Sequence, residues 1–549
     1  MSGDHAARRR YDRHDNRPDQ GRDEGHDTAW WHDAVGYEVY IRSFADGNDD
    51  GVGDLVGLRD RLEHLAWLGV DLIWITPFYP SPMADHGYDV SDYRDVDPVF
   101  GTLADFDAVV AEARRLGLRV MVDIVPNHTS DQHPWFVDAR RHRSSEHRGW
   151  YVWRDPAPDG GPPNNWVSSF GGPAWTLDAA SGQYYMHLFL PEQPDLNWNE
   201  PAVAEAFEQI IGFWLGRGVD GFRIDVAHSL VEDQTFPDNP TIGPVAADMT
   251  PRQAFRCFEH LYDMDQPGVT DIYRRWRELA DEHDAALLGE VYLHEADRVS
   301  RYVEPDALHA AFYFKAMSMP WGAASVRAML ADGVAMGSGR FAWVQASHDE
   351  RRPVTRFGGG PEGRARAFVL STLYTGLPGM MFLYQGEELG LADGFVPPDR
   401  RADPVGTRNL NPEGSRDGCR TPMPWADVDG FGFTAPGVEP WLPFGGRQAS
   451  DTVAVQRRDP QSWLHRYRSL IAARRSLPAT DMAVEWLDVD PDRLVAYRRG
   501  PLYVAANVSD EAVEGSAQAG SWTVHFATDP ACSPDHLPPR SAFVAVQGS

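Results

Sequence analysis

Cysteine is nearly absent. Cys257, Cys419 and Cys532 are the three in 549 residues, far apart and without a CxxC pair. That argues against a disulfide framework and against a cysteine-based zinc site. Positive charge is also scarce: 51 Lys+Arg face 81 Asp+Glu, a formal net charge of −30. So acidic a surface repels phosphate backbones and anionic headgroups, so neither nucleic acid nor a membrane is expected as a partner. It favours solubility and names no substrate. No uninterrupted apolar run approaches the length of a membrane span. The stretch from Met1 to Asp27 is polar and arginine-rich and lacks the apolar core of a secretory signal. A cytoplasmic location is the expectation. There is no internal repeat, and composition leaves monomer and homo-oligomer equally open.

What is present is enough apolar material, 42% of the chain, to bury a sizeable core, over a length too great for one ordinary core. Nineteen Trp supply flat surfaces that suit sugar rings as well as interiors. Residues 1–28 are charged and aperiodic and read as a disordered tail. From there strands and helices alternate. Val35 to Ile41 reads as a strand, Leu55 to Leu68 as a helix, Val70 to Pro77 as a strand, Phe106 to Leu116 as a helix and Leu118 to Val125 as a strand. Such alternation implies βαβ units and a parallel sheet. Residues 131–205, rich in Pro, Gly, Trp and Asn, interrupt it as an inserted subdomain with short strands such as Tyr184 to Leu190. A helix over Val203 to Arg217 then resumes the rhythm, followed by the strand that ends at Asp225. Further strands are expected at Ala286 to Val291, Ala310 to Phe314, Ala342 to Ala346 and Met380 to Leu383. The total is eight, the count of a (β/α)8 TIM barrel spanning 29–130 and 206–477. A last barrel helix runs from Trp463 to Arg474. Short alternating runs in 478–549, such as Arg493 to Tyr497 and Leu502 to Ala505, read as a C-terminal antiparallel β-domain.

Within this frame Gly218-Val219-Asp220-Gly221-Phe222-Arg223-Ile224-Asp225-Val226 stands out. Alternate strand residues share a face, so Arg223 and Asp225 point the same way. A guanidinium beside a carboxylate keeps it ionised and oriented, as a nucleophilic aspartate requires. Three other stretches end an apolar run in polar residues: Asp123 to His128 before it, then Leu288-Gly289-Glu290-Val291 and Ser347-His348-Asp349 after it. In order and in content these four stretches resemble the signature regions of the α-amylase family of glycoside hydrolases.

The resemblance, which covers roughly residues 30–475, implies a retaining glycosidase with Asp225 as nucleophile, Glu290 as acid/base and Asp349 as the carboxylate that binds sugar hydroxyls and favours the distorted ring. Retention asks for two carboxyl groups about 5–5.5 Å apart, and neighbouring strands lie about 4.8 Å apart. Glu290 follows an apolar run and a glycine, which suits a carboxyl kept protonated by desolvation. The resemblance also implies that His128 and His348 bind substrate hydroxyls. Asp85-His86-Gly87-Tyr88 resembles the motif whose aspartate grips the terminal sugar and whose tyrosine stacks on it. Ser415-Arg416-Asp417 and Arg420-Thr421-Pro422-Met423-Pro424-Trp425 resemble the segment supplying the arginine paired to that aspartate, with Arg416 preferred over Arg420. Such a pair would close the pocket beyond one sugar. Gln193 to Trp198 matches the oligosaccharide-cleaving group, and by position Phe170 and Phe189 should line its pocket. Together these imply an exo-acting α-glucosidase of the oligo-1,6-glucosidase and maltase type, with a small oligosaccharide as substrate. A transglycosylating or isomerising relative, such as a trehalose-forming enzyme, is the alternative, and an inactive sugar-binding member a remote one. Val226 after the nucleophile points to α-1,6 bonds, although Ala227-His228 depart from the usual Ile-Asn that follows. The long segment Ser229 to Ala285 could reshape the acceptor site.

One acidic loop needs its own reading. Asp46, Asn48, Asp50 and Asp54 place side-chain oxygens at loop positions 1, 3, 5 and 9, with the Val52 carbonyl at 7. That is the first part of an EF-hand-like loop, though Gly57 stands where a bidentate Glu is expected. The same loop in oligosaccharide-cleaving relatives implies a structural Ca2+ or Mg2+. The chemistry implied for Asp225 and Glu290 needs no catalytic cofactor.

Overall fold

The computed structural model describes residues 29–246, 249–337, 339–408, 414–514 and 521–548. The expected N-terminal tail, residues 1–28, lies outside them. Eight parallel strands close a barrel: β1 (Val35–Val39), β2 (Leu72–Ile75), β3 (Arg119–Ile124), β7 (Gly221–Ile224), β8 (Ala286–Gly289), β9 (Ala310–Tyr313), β10 (Phe341–Trp343) and β11 (Met380–Tyr384). Going round, the order is β1-β11-β10-β9-β8-β7-β3-β2, so chain neighbours are spatial neighbours and β11 returns to β1. Alternation decides which side chains go inside. Trp74, Met121, Leu288, Phe312 and Phe382 fill the barrel. Tyr37, Ile73, Val122, Phe222 and Leu287 face the surrounding helices. Gly36 is required on β1, because a Cβ there would lie 2.4 Å from the ring of Phe382.

Helix Leu55–Leu68 occupies the expected span, opened by the Asp54 side chain accepting from Gly57 N–H and stopped by Gly69 at φ 102°. Helix Leu103–Arg115 starts a turn earlier than its apolar pattern suggests, because Thr102 and Asp105 form a reciprocal capping box. Helix Pro201–Gly216 likewise starts two residues early, with Pro201 in its first turn. Between β3 and that helix come helix Pro134–Arg141 and a three-stranded antiparallel sheet, β4 (Trp153–Arg154), β6 (Gln183–Met186) and β5 (Trp175–Asp178). The strand expected from Tyr184 to Leu190 ends at Met186. Beyond it the Leu188 N–H donates to the Asp195 carboxylate and the Leu190 N–H to Gln193 Oε1, so neither is free for a ladder.

The C-terminal part is a five-stranded antiparallel sheet, β12 (Val484–Trp486), β13 (Leu494–Arg499), β14 (Leu502–Asn507), β18 (Ser541–Gln547) and β16 (Trp522–Ala527), with a small β15 (Val513–Glu514) and β17 (His536–Leu537) pair beside it. Val495, Tyr497 and Val504 join the barrel's outer core, while Ala496, Tyr503 and Phe543 form a separate apolar layer on the other face. The Tyr497 hydroxyl donates to Leu373 O at 2.6 Å, tying the sheet to helix Gly360–Thr375. No described helix is long and apolar enough to cross a membrane.

The acidic loop follows β1. Its Asp46 carboxylate accepts backbone N–H bonds from Asn48, Asp49, Asp50 and Gly51, and Asp54 caps the next helix. Among the described residues no group of three or more His, Cys, Asp or Glu side chains is arranged to hold a metal ion.

Candidate active site

At the C-terminal mouth of the barrel the chemistry is organised around one buried guanidinium. Arg223 on β7 is in register with Asp123 on β3, so ladder pairing alone brings a cation beside an anion. Its Nη1 donates to both oxygens of Asp123 at 3.0 and 3.1 Å and to Asp225 Oδ1 at 2.6 Å. Its Nη2 lies 2.8 Å from Glu290 Oε2. The Trp74 ring lies under the guanidinium, 4.8 Å away, and Trp74 Nε1 donates to Asp123 at 3.1 Å. Arg223 is 1% exposed, so these bonds are made away from water, where they are strongest. Asp225 and Glu290 are joined through Arg223, which bonds one with Nη1 and the other with Nη2. Burial pushes the Asp225 carboxyl well above the usual carboxylate range, with Glu290 and Asp123 adding to the rise and Arg223 opposing it.

The cavity above this pair has a volume of about 320 Å³. Asp85, Tyr88, His128, Phe170, Phe189, Asp225, Val226, Glu290, Asp349 and Arg416 all line it. Three expected contact residues, Arg223, His348 and Arg420, are not in its wall, and each is 1% exposed. They sit one layer behind, because each is committed to a group that does face the cavity. At one end Arg416 joins three carboxylates: Asp85 at 2.8 Å, Asp349 at 3.0 Å and Asp403 at 2.7 Å. Arg420 adds a second bond to Asp349 at 2.8 Å. Burial alone would raise the Asp349 carboxyl, but His348, Arg416 and Arg420 beside it hold it well below the usual range. His348 is itself kept neutral by burial, so the two arginines supply the charge that matters. The Arg416 guanidinium also covers the Phe170 ring at 5.2 Å, and Phe170 meets Phe189 edge-on at 5.3 Å. His128 Nδ1 donates to Asn127 Oδ1 at 2.9 Å and its Nε2 accepts from Gln193 Nε2 at 2.9 Å. Burial pushes its pKa down to about 3, so it is a neutral hydrogen-bonding group.

The other end is apolar. Leu188, Val226 and Met264 pack together with Phe189 and Phe255, and the Val226 N–H donates to Glu290 Oε2 at 3.0 Å. Opposite, Tyr292 stacks on Phe314 at 5.2 Å and its hydroxyl donates to Glu350 Oε1 at 2.7 Å. Motif reading singled out none of Leu188, Phe255, Met264, Tyr292, Phe314 and Glu350. The position of Tyr292, two residues after Glu290, and of Glu350, next to Asp349, was the available signal. Asp123 lay in a quoted motif without a role, and Asp403 lacked any local signature.

Residues 38–482 match the α-amylase catalytic domain. A probable α-glucosidase of Rhizobium meliloti (strain 1021) is 43% identical over 503 residues, 88% of this chain and 90% of that protein. An oligo-1,6-glucosidase of Heyndrickxia coagulans is 35% identical over 539 residues, 90% and 95% of the two chains. The crystal structure of an α-glucosyl transfer enzyme, XgtA, superposes with a TM-score of 0.89 at 39% identity, covering 95% of this chain and all of that one. With a domain match over most of its length, and identities of this size sustained end to end, the chain belongs to the α-amylase family of glycoside hydrolases.

Proposed function

We propose that this protein is a retaining, exo-acting α-glucosidase that releases glucose from the non-reducing end of short α-glucosides. The observation that carries the reading is the ionic cluster at one end of the cavity. Arg416, tied to Asp85, Asp349 and Asp403, would close the cavity beyond one sugar, so that only a chain end enters. In the first step an Asp225 oxygen attacks C1, the bond from C1 to the leaving oxygen breaks, and that oxygen takes the proton from Glu290. Arg223 favours this arrangement by donating to Asp225 and so stabilising the anion there. In the second step Glu290 removes a proton from water, whose oxygen attacks C1 and frees Asp225. Asp349, ionised by its arginines, and Asp85 would accept hydrogen bonds from the sugar's hydroxyls, with Tyr88 and His128 completing the pocket.

Substrate choice follows from the same wall. Among the described residues Arg416 is the one Lys or Arg lining the cavity, and it is already shared by three carboxylates. Among the described lining residues a phosphorylated disaccharide would meet several carboxylates and no uncommitted cation, which favours neutral glucosides. Val226 beside the nucleophile favours α-1,6 over α-1,4 bonds. Glucose release from maltose, isomaltose, trehalose, sucrose and starch, measured side by side, tests the reading. Rapid release from isomaltose and maltose with slow release from starch is expected, and starch as the best substrate would overturn it.

A second reading is favoured by the apolar leaving-group end: the glucosyl group on Asp225 passes to an alcohol in place of water. Products other than free glucose from a single disaccharide would show it.

We further propose a structural Ca2+ or Mg2+ held by Asp46, Asn48, Asp50, Asp54 and the Val52 carbonyl. An all-oxygen donor set suits either ion. Burial raises the Asp54 carboxyl, and Asp46 and Asp50 add to the rise, a mutual repulsion that a divalent cation relieves. The ion would contribute stability and no catalytic step.

A further inference from the structure

Glu38 is a charged residue type placed inside the barrel, and no motif accounts for it. It sits on β1, in register with Trp74 on one side and Tyr384 on the other, and it is 1% exposed. Its Oε1 takes two contacts from the same residue: the backbone N–H of His348 at 3.2 Å and His348 Nδ1 at 2.6 Å. The imidazole is clamped between two nearly parallel rings, Tyr40 at 5.3 Å and 13°, and Tyr88 at 5.4 Å and 12°. On its far side Nε2 is fully buried, makes no hydrogen bond and lies 3.4 Å from Asp349 Oδ2. Buried Glu38 and His348 thus form a line that ends on Asp349, the carboxylate facing the cavity.

Elementary electrostatics assigns the protons along this line. Asp349 is an anion, held so by Arg416 and Arg420. A bare lone pair on this buried nitrogen, facing that anion, would be repelled and unsatisfied, so Nε2 carries hydrogen. Turning the ring over would keep the plane set by the two tyrosines but put Cδ2 in place of Nδ1 against Glu38 and lose the 2.6 Å contact. With Nε2 protonated, a neutral imidazole has a bare Nδ1, and the 2.6 Å contact to Glu38 then needs a proton of its own. We propose that Glu38 is a positioning residue that keeps a second proton in the Glu38–His348 pair, so that His348 always presents an Nε2–H to Asp349. Whether the shared proton sits on Oε1 or on Nδ1, the pair is neutral overall and holds two protons. Burial works in this direction: it raises the Glu38 carboxyl well above its usual range and holds His348 well below. The charges facing Glu38 are Arg223 on β7, which favours its ionisation, and Asp349 and Asp123, which oppose it. The inference extends the reading of Asp349 as the sugar-gripping carboxylate, whose orientation this N–H would set.

Replacing Glu38 by Gln tests it, because an amide can donate to Nδ1 and cannot ionise. The variant should keep kcat within about threefold, whereas loss of an ionised His-orienting carboxylate costs on the order of 10⁴. A stability readout separates proton count from activity. A carboxyl whose folded pKa is raised contributes stability that is present below its unfolded pKa and is lost as pH rises toward its folded one. Gln removes that loss, so the melting temperature of Glu38→Gln minus that of the parent should grow as pH rises from about 5 to about 8. A gap that stays flat or shrinks would overturn the proposal, as would a loss of kcat on the order of 10⁴. Should the variant not fold, neutron diffraction from parent crystals near neutral pH gives the same decision. Deuterium at Nε2 and between Nδ1 and Oε1 is expected, and a bare Nε2 would sink the idea. Both proton readouts hold whatever substrate the enzyme takes, so their failure is distinct from failure of the glucosidase reading.

Discussion

At the scale of single residues, Arg223 is the group on which the chemistry turns. One guanidinium touches Asp123, Asp225 and Glu290, so it orients the proposed nucleophile and the proposed acid/base together. The residue after Asp225 shows the strain of holding that geometry. Val226 has φ 45°, a left-handed conformation that a β-branched side chain rarely adopts and that costs on the order of 1–3 kcal/mol. Its reward is the Val226 N–H bond to Glu290 Oε2, which ties the two carboxyl-bearing loops together. Asp225→Asn keeps the shape and removes the attacking anion. Its rate should fall at least about 10³-fold, roughly 4 kcal/mol of barrier, with the melting temperature little changed. Near-normal glucose release from that variant would remove Asp225 from its role. What could be read of the site from sequence followed from local spacing. Arg223 with Asp225, and His348 with Asp349, announce themselves as pairs. Arg416 was placed opposite Asp85 only through a motif resemblance, because 331 positions separate them. Asp403 and Glu38 were invisible for the same reason: their partners are brought to them by barrel closure, and neither sits in a patterned stretch.

At the scale of elements, strand ends and the loops after them divide the labour. β3 and β7 deliver Asp123 and Arg223 in one register and Glu290 stands just past the end of β8, whereas Asp85, Asp349 and Arg416 come from loops that follow β2, β10 and β11. Strand and helix identities were legible because short, near-continuous apolar runs alternate with period-3.6 patterns in a barrel whose strands are buried on both faces. Ends were less so. The capping box at Thr102 and the side-chain acceptors Asp195 and Gln193 moved helix and strand limits by side-chain bonds that apolar periodicity does not encode. The acidic loop after β1 is the element with a testable ligand. A cation that binds the folded loop and not the unfolded chain stabilises by mass action. Excess chelator added to metal-loaded protein should therefore lower the melting temperature while turnover of the enzyme that stays folded is preserved. An unchanged melting temperature would remove the ion.

At the scale of the whole molecule, the fold converts a cylinder of parallel strands into a pocket with one closed and one open end. The closed end is polar and ionic, built from Asp85, Asp349, Asp403, Arg416 and Arg420. The open end is apolar, built from Val226, Met264, Phe255, Tyr292 and Phe314. That polarity matches a substrate whose terminal glucose is gripped through its hydroxyls and whose remainder is held by contact alone. Closure beyond one sugar is the central claim, and the earliest products from starch test it most directly. Glucose should appear from the first moments, with little early loss of viscosity or iodine staining, because internal bonds cannot reach Asp225 past the Arg416 wall. Early release of maltose or longer fragments would show an open cleft, and would contradict the exo-acting glucosidase described here while leaving the barrel and its three carboxylates in place.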